Sequence, residues 1–410
     1  MPRRRHVLGL LLALAAGCGL PERRAALPER PDELPPLAGL TGIRAVDGYP
    51  DAHLQASFDR SFQAFAHRSL PADGLRRLDS LVLTAGGPNG AFGAGVLTAW
   101  TERGDRPDFW FVTGVSVGAL LAPFAFVGST YDGRLEELFG SIEPEDLHRP
   151  RATLPSALWG ESLMDSGPLR RLIAKGFDRD LMRAVAARHA EGARLGIGTT
   201  NLDTGRFVIW DLGEIATLDT DEALDLCRDV LAASAAIPVL YPPVRFTHEG
   251  RDELHVDGSV IRPFFIPQNV VNDYASVQRA GLDLDEVESR IFVLYNRSLA
   301  PEPEAVARET LAIATRTVTV MMQTMVAEHT LHLNLLAQAW NAGFHYISIP
   351  QGRELATESF GADETERLFE LGRETLLKSG WLQELPDHIQ RAELRRIAPM
   401  HRRDPDASDG

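Results

Sequence analysis

The residues best suited to chemistry in this chain are a serine and its flanking glycines. Ser116 lies at the centre of a Gly-x-Ser-x-Gly pattern that runs from Gly114 to Gly118. The apolar stretch Phe109–Thr113 precedes this pattern, and an apolar helical pattern follows it. This pattern is typical of a nucleophile elbow, in which a tight turn between a strand and a helix presents a serine hydroxyl at the edge of a sheet. The turn leaves no room for side chains on either side of the serine. A serine that only caps the helix is the competing interpretation.

A second strand–turn–helix pattern is rich in glycine. The apolar strand Leu81–Thr84 leads into the run Ala85–Gly90, and another apolar helical pattern follows. Consecutive glycines can turn backbone N–H groups toward a developing oxyanion. A nucleotide-binding loop is the alternative, but Ala85 stands at its first glycine position and no Walker lysine follows Gly90. A nucleophile beside bare backbone donors indicates acyl transfer.

A third motif, Asp257-Gly258-Ser259, completes a set that resembles the patatin-like phospholipases. That family combines a Gly-Gly-Gly-x-Arg-Gly loop with Gly-x-Ser-x-Gly and a later Asp-Gly-Gly or Asp-Gly-Ala. The corresponding pieces here are Ala85–Gly90, Gly114–Gly118 and Asp257–Ser259. The resemblance extends over roughly residues 78 to 270.

The resemblance implies a serine acyl hydrolase, a phospholipase A or a lysophospholipase-like lipid esterase, whose catalytic dyad contains no histidine. Ser116 would attack an ester carbonyl, and Asp257 would take its proton. The backbone N–H groups of Gly86 and Gly87 would form the oxyanion hole. Neither a cofactor nor a metal ion is implied.

Three positions depart from the family pattern. Ala85 replaces the first glycine, Asn89 replaces the arginine, and Ser259 replaces the final glycine or alanine. The missing arginine argues against a direct grip on a phosphate head group. We therefore expect the substrate, rather than the mechanism, to differ from the family.

Two alternatives stay open at this point. His329, His332 or His345 could complete the Ser–Asp–His triad of an ordinary α/β-hydrolase esterase, although each lies in an apolar helical pattern or a late strand. His255 precedes Asp257 by two residues, so both would face the same side of a strand, and it could orient the site. The other alternative is a catalytically silent lipoprotein that keeps the fold as a scaffold.

The rest of the chain predicts the elements that would position these motifs. Strand patterns alternate with helical patterns, which is typical of an α/β fold. We expect a three-layer α/β/α hydrolase domain with a mostly parallel central sheet over residues 60–385. Residues 303–340 form the longest periodic stretch, expected as one long helix or as two with a kink. The predicted strands are Leu81–Thr84, Phe109–Thr113, Arg194–Thr199, Phe207–Leu212, Ile291–Tyr295 and His345–Ile349.

The N-terminus resembles the export signal of a bacterial lipoprotein. Three arginines precede an apolar stretch, Val7–Ala16, which is too short to span a bilayer. Leu14–Cys18 resembles a lipobox, so residues 1–17 are expected to be a signal peptide and Cys18 to carry a lipid anchor. A plain secreted protein is the alternative. Gly19, rather than aspartate, follows the cysteine, which favours an outer-membrane lipoprotein on the periplasmic side.

Composition limits the partners. The formal net charge is −15, which argues against nucleic acid and against electrostatic docking on anionic lipid. The expected partners are a lipid or other ester substrate and a membrane reached through the anchor. Proline-rich residues 18–59 are expected to be the tether, and residues 386–410 a C-terminal helix and disordered tail.

Overall fold

The computed structural model describes most of the chain. The expected signal peptide, Cys18, part of the expected tether and residues 391–410 lie outside the described residues. Among the described residues, no helix combines the length and the apolar character needed to cross a membrane. The described residues are 25, 34, 37, 40–147, 149–150, 162–267, 274–283, 286–300, 303, 305–354 and 361–390.

Strands and helices alternate through the middle of the chain, as predicted. The strands are β1 (Arg44–Val46), β2 (Arg76–Leu83), β3 (Phe111–Val115), β4 (Arg149–Pro150), β5 (Met164–Asp165), β6 (Arg194–Asn201), β7 (Arg206–Asp211), β8 (Val244–His248), β9 (Arg251–Asp257), β10 (Val287–Tyr295) and β11 (Gly343–Ser348). The helices are α1 (Ala52–Ala66), α2 (Gly90–Arg103), α3 (Val117–Val127), α4 (Asp132–Phe139), α5 (Pro144–Leu147), α6 (Gly167–Gly176), α7 (Arg179–Ala190), α8 (Leu212–Ala216), α9 (Asp221–Ser234), α10 (Tyr274–Arg279), α11 (Thr310–Ala339) and α12 (Ala362–Ser379).

Nine of the described strands form one mixed sheet. Its order is β1-β7-β6-β3-β2-β10-β11, with β9 paired to β6 and β8 paired to β9. The centre is parallel, because β6, β3, β2, β10 and β11 run in one direction. Strands β7 and β9 are antiparallel to β6. All six predicted strands are present, whereas the β8–β9 hairpin was not predicted.

Helices cover both faces of this sheet, which confirms the three-layer α/β prediction. Leu81 and Leu83 of β2 belong to the large core that includes α2, α3 and α12. Val82, between them, belongs to a second core, which β10, β11 and α11 complete. Alternate residues of one strand therefore face opposite layers. The long periodic stretch is a single helix, α11.

The folded domain begins earlier than predicted. The expected tether boundary at residue 59 is wrong, because β1 pairs with β7 and α1 packs into the core. Leu54, Phe58, Phe62 and Phe65 of α1 are all buried. Their spacing of three and four residues is that of one apolar face of a helix.

Helices α2 and α12 approach each other through glycines. A Cβ at Gly95 of α2 would lie 2.0 Å from the carbonyl oxygen of Phe369 in α12. A Cβ at Gly372 of α12 would lie 2.2 Å from the carbonyl oxygen of Phe92 in α2. Since α2 starts directly after the glycine-rich run, α12 supports the helix that holds that loop.

Candidate active site

Ser116 connects β3 to α3 in a strained conformation. Its φ is 58° and its ψ is −129°, and the residue is almost fully buried. A non-glycine residue in such a region costs about 1–3 kcal/mol, which the surrounding structure must offset. Strain of this kind concentrates at functional sites, and here it falls on the residue that the sequence singled out.

The two glycines of the elbow are required by packing. A Cβ at Gly114 would lie 2.5 Å from the carbonyl oxygen of Gly118. A Cβ at Gly118 would lie 2.3 Å from the carbonyl oxygen of Leu83, at the end of β2. The turn therefore packs directly on the strand that leads into the glycine-rich loop.

Ser234, the last residue of α9, holds the backbone of the elbow. The N–H of Ser116 donates to the Ser234 hydroxyl over 3.0 Å, and that hydroxyl donates to the carbonyl oxygen of Gly198 over 2.7 Å. The sequence motif had given Ser234 no role. Because the Ser116 N–H is already used, donors for an oxyanion have to come from elsewhere.

Sheet register brings Asp257 to Ser116. Along β6, Gly198 pairs with Val115 of β3, and the next residue, Thr199, pairs with Asp257 of β9. The two strands reach this point from opposite directions, since β3 is parallel and β9 antiparallel to β6. The residue after Val115 is Ser116, so the serine and the aspartate meet where their strands end.

Burial controls the charge of Asp257. The carboxyl group is buried, and its pKa is raised to about 6 by desolvation, which the Ser116 and Ser259 hydroxyls and the Ser259 N–H partly oppose. Oδ1 accepts from the Ser259 N–H over 2.8 Å. Oδ2 accepts no regular hydrogen bond from the described residues. The Ser116 hydroxyl is thus close enough to affect the carboxyl electrostatically, while one carboxyl oxygen remains available for a proton.

The glycine-rich loop presents unused backbone donors. Within the described part of the chain, the N–H groups of Gly86 and Gly87 make no hydrogen bond. A Cβ at Gly86 would lie 2.1 Å from the carbonyl oxygen of Asn296, so only glycine fits there. Gly87 has a φ of +58°, which also favours glycine. The next residue, Pro88, has no N–H to offer.

Asn89 braces this loop from inside. It is buried, and its Nδ2 donates to the carbonyl oxygen of Gly86 over 2.9 Å. The residue that replaces the arginine of the family pattern therefore points into the protein. Helix α3 begins directly after Ser116, and its first N–H groups add partial positive charge beside the serine.

An apolar groove starts at these residues. Gly87, Pro88, Ser116 and Val117 line one end, and the unfilled space amounts to about 750 Å³, part of which is open to solvent. Except for the hydroxyls of Ser116 and Tyr241, the described side chains that line it are apolar. The remaining lining residues are Leu120, Phe139, Ile142, Leu147, Met164, Leu169, Leu172, Ala235, Ile237, Leu240 and Tyr241. The groove suits a hydrocarbon chain attached to a carbonyl at Ser116.

A buried network that the sequence did not reveal fixes β9 beside this site. Arg44 donates twice to Glu253, over 2.8 and 2.9 Å. Asn201 donates to the same carboxylate, and so does His255, whose other ring nitrogen bonds Thr199 over 2.9 Å. Burial alone would raise the pKa of Glu253, but hydrogen bonds from His255 and Arg44 lower it to about 2. His255 therefore anchors the strand.

The later histidines lie elsewhere. His329 bonds a carbonyl of its own helix, and His345 stacks on an aromatic ring of β10. His332 is exposed on α11. Burial lowers the pKa values of His329 and His345. Among the described residues, no histidine hydrogen-bonds to the serine or the aspartate of the site.

One group of potential metal ligands forms away from the groove. His189, Asp211 and Glu214 place ligand atoms within 4.8 Å of one another, which the sequence spacing had not suggested. Most of these atoms already bond within the protein: His189 Nε2 lies 3.0 Å from Glu214, and Asp211 accepts from the Glu214 N–H and the Ser57 hydroxyl, whereas His189 Nδ1 has no hydrogen-bond partner among the described residues. Hydrogen bonding and the capping of α8 by Asp211 account for the two carboxylates of this group.

The fold and the elbow define an α/β protein with a serine at a strand–helix turn beside an apolar groove. Residues 81–268 match the family model of the patatin-like phospholipases. The chain therefore contains a patatin-like phospholipase domain, and the match supports activity as a lipid hydrolase. The matched range contains the loop, the elbow and Asp257.

Two solved structures are similar to this chain. VipD from Legionella pneumophila is 12% identical, with 74% of this chain and 66% of the VipD chain covered and a TM-score of 0.32. Human GIVD cytosolic phospholipase A2 is also 12% identical, with 91% of this chain and 67% of that chain covered and a TM-score of 0.37. This chain thus spans just under two thirds of VipD. A comparison with curated protein sequences found no match.

Proposed function

We propose that the chain is a carboxylic ester hydrolase that cleaves lipid esters with a Ser116–Asp257 dyad. Asp257 takes the proton of the Ser116 hydroxyl as Oγ attacks the ester carbonyl. The N–H groups of Gly86 and Gly87 hold the tetrahedral oxyanion. Its collapse expels the alcohol, which takes the proton from Asp257 and leaves an acyl-serine. Water, deprotonated by Asp257, then attacks that ester; its collapse releases the fatty acid, and Ser116 Oγ takes the proton back from Asp257.

The observation that carries this proposal is the register on β6, where consecutive residues pair with Val115 and Asp257. Because β3 and β9 end next to each other on the same edge of β6, the side chains that follow or end these strands lie close together. Hydrogen bonds of catalytic pairs are often loose without substrate and tighten in the complex. The free Oδ2 of Asp257 is consistent with such a pair.

The raised pKa supports the role of Asp257 as a base. A general base works best when its pKa lies near the working pH. Burial raises the pKa of Asp257 to about 6, so it binds a proton more tightly than an exposed carboxylate would. It remains ionised at neutral pH.

The groove supports an acyl substrate rather than a polar one. Among the described residues that line it, only Ser116 and Tyr241 carry a hydroxyl and none is charged. The inward-pointing Asn89 gives no contact for a phosphate at the loop. We infer that recognition rests on the acyl chain, with phospholipid, lysophospholipid and neutral ester pools as the substrates to compare.

Covalent labelling with a fluorophosphonate tests the nucleophile. We expect labelling of the wild type and of Ser129→Ala, an exposed serine beyond α3, but none of Ser116→Ala. Asp257→Asn should label and hydrolyse far more slowly. Loss of activity in His329→Ala or His345→Ala, with Asp257→Asn still active, would favour a triad instead. Folded wild-type protein that never labels would favour the scaffold alternative.

We also propose that Cys18 carries a lipid that holds the enzyme at the outer membrane, on its periplasmic side. The support is the sequence alone: the apolar stretch before Cys18 and the lipobox-like residues. A clickable palmitate analogue fed to expressing bacteria should label the wild type and Cys227→Ala, which removes the other cysteine, but not Cys18→Ala. Unlabelled wild type in the soluble periplasmic fraction would indicate plain secretion.

A further inference from the structure

A second cavity lies beyond the apolar groove. Its unfilled space amounts to about 330 Å³, part of which is open to solvent, and the described side chains that line it are apolar. Helices α3, α4 and α6 supply most of its described walls, and each of them also contributes residues to the groove. We call this space the far chamber; its lining includes Phe124, Leu138 and Gly176.

The groove and the far chamber share a wall. Leu120, Phe139 and Leu172 line both spaces. Leu120 and Leu172 are only partly buried, whereas Phe139 is buried. Two aliphatic side chains and one aromatic ring therefore form the partition between them.

The lining residues follow one face of each helix away from the nucleophile. On α3, Val117 lines the groove, Leu120 the partition and Phe124 the far chamber. Spacings of three and four residues keep them on one side of the helix. At 1.5 Å per residue, the path from Val117 to Phe124 runs about 10 Å along α3. On α6, Leu169, Leu172 and Gly176 repeat the same order and spacing.

We propose that the groove and the far chamber form one route for a single long acyl chain, and that Leu172 and Gly176 set the chain length the enzyme prefers. The proposal rests on the proposed function, since the ester carbonyl lies at Ser116. The first methylenes occupy the groove. The chain then passes between Leu120 and Leu172, whose side chains rotate aside, and ends in the far chamber.

Gly176 leaves the end of this route open. A Cβ there would lie 2.9 Å from Leu138 Cδ1 and 3.6 Å from Phe124 Cζ, so a larger side chain would project into the far chamber. Its φ is outside the left-handed region, and the nearest obstacle is the movable end of a leucine. Gly176 can therefore be replaced without backbone strain.

The test is the ratio of kcat/KM for p-nitrophenyl palmitate to that for p-nitrophenyl butyrate. Each methylene that leaves water should raise kcat/KM about fourfold until the route is full, so the wild type should prefer the long chain. Gly176→Leu should lower the ratio by about tenfold or more. Leu172→Trp should make the loss begin already at the octanoate ester. Gly133→Leu, an exposed glycine of α4 with no atom near its Cβ, is the matched control and should keep the wild-type ratio.

Active, folded Gly176→Leu and Leu172→Trp proteins with the wild-type ratio would overturn the route while leaving the hydrolase intact. Gly176→Ala, a smaller change, serves if the leucine variant fails to fold, and should give a smaller decrease.

Binding separates this proposal from the proposed function. Octanoate, laurate and palmitate should displace a fluorescent fatty acid from Ser116→Ala with increasing affinity, and Gly176→Leu in that background should remove the gain. If affinity rises with chain length in this way but the wild type hydrolyses no ester, the catalytic proposal is refuted and the acyl route is supported. Equal affinities for all three acids would sink the route.

Discussion

Replacing Asp257 by asparagine should stabilise the protein while it removes activity. Folding raises the pKa of this carboxyl from 3.8 to about 6, because burial disfavours its charged form. The stability that the group provides is therefore present below about pH 4 and is lost as the pH rises toward 6. At about 1.36 kcal/mol per pKa unit, the ionised carboxylate costs about 3 kcal/mol above that range. Asparagine has nearly the same shape, can still accept from the Ser259 N–H, and carries no charge.

Urea unfolding at several pH values between about 4 and 8 measures this difference. We expect Asp257→Asn to exceed the wild type by up to about 3 kcal/mol at the alkaline end, with the gap closing as the pH falls through 6. Ser116→Ala is the matched control, since it also removes activity but keeps the carboxyl, and it should not gain stability with rising pH. A gap that is constant with pH would refute the reasoning.

Three further outcomes follow from the same geometry. The kcat/KM profile of the wild type should fall on its acid side near pH 6, the pKa of Asp257, and a fall near pH 4 would show that the base is not buried. In urea unfolding, the free energy of unfolding of Ser116→Gly should exceed that of Ser116→Ala by about 1 kcal/mol, because glycine relieves the positive φ at some cost in chain entropy. Equal free energies of unfolding would argue against strain at this residue. Gly118→Ala should be destabilised by several kcal/mol, since its Cβ meets the Leu83 carbonyl oxygen. The control Gly133→Ala should have an unchanged or higher stability in thermal unfolding. A stable, active Gly118→Ala protein would contradict the packing of the elbow.

The elbow and the glycine-rich loop could be predicted because their constraints are local. Gly114 collides with atoms four and five residues away if it gains a side chain, and Gly118 collides with the strand that the loop itself follows. Strand and helix patterns on either side were clear in the sequence. Such short-range requirements leave a recognisable spacing of residues.

The strand that carries Asp257 could not be predicted in this way. Glu253 and His255 are buried on β9, so the segment has a polar pattern that resembles a loop. The charge that makes this burial affordable comes from Arg44, which lies 209 residues before Glu253. The groove was equally hidden, because α3, α4 and α6 contribute to it from separate parts of the chain. Helix α1 could have been predicted, because its apolar residues have helical spacing in the sequence. It was missed because its first half was assigned to the tether.

The glycine contact between α2 and α12 limits how far this protein could be truncated. The family match ends at residue 268, yet the backbone of α2 packs at Gly95 against a helix that begins at Ala362. A fragment limited to the matched residues would keep the serine and the aspartate but would expose the apolar side of the helix that starts at the loop. Excising the matched residues alone would thus yield an incomplete fold without α12, the helix that packs on α2 behind the glycine-rich loop.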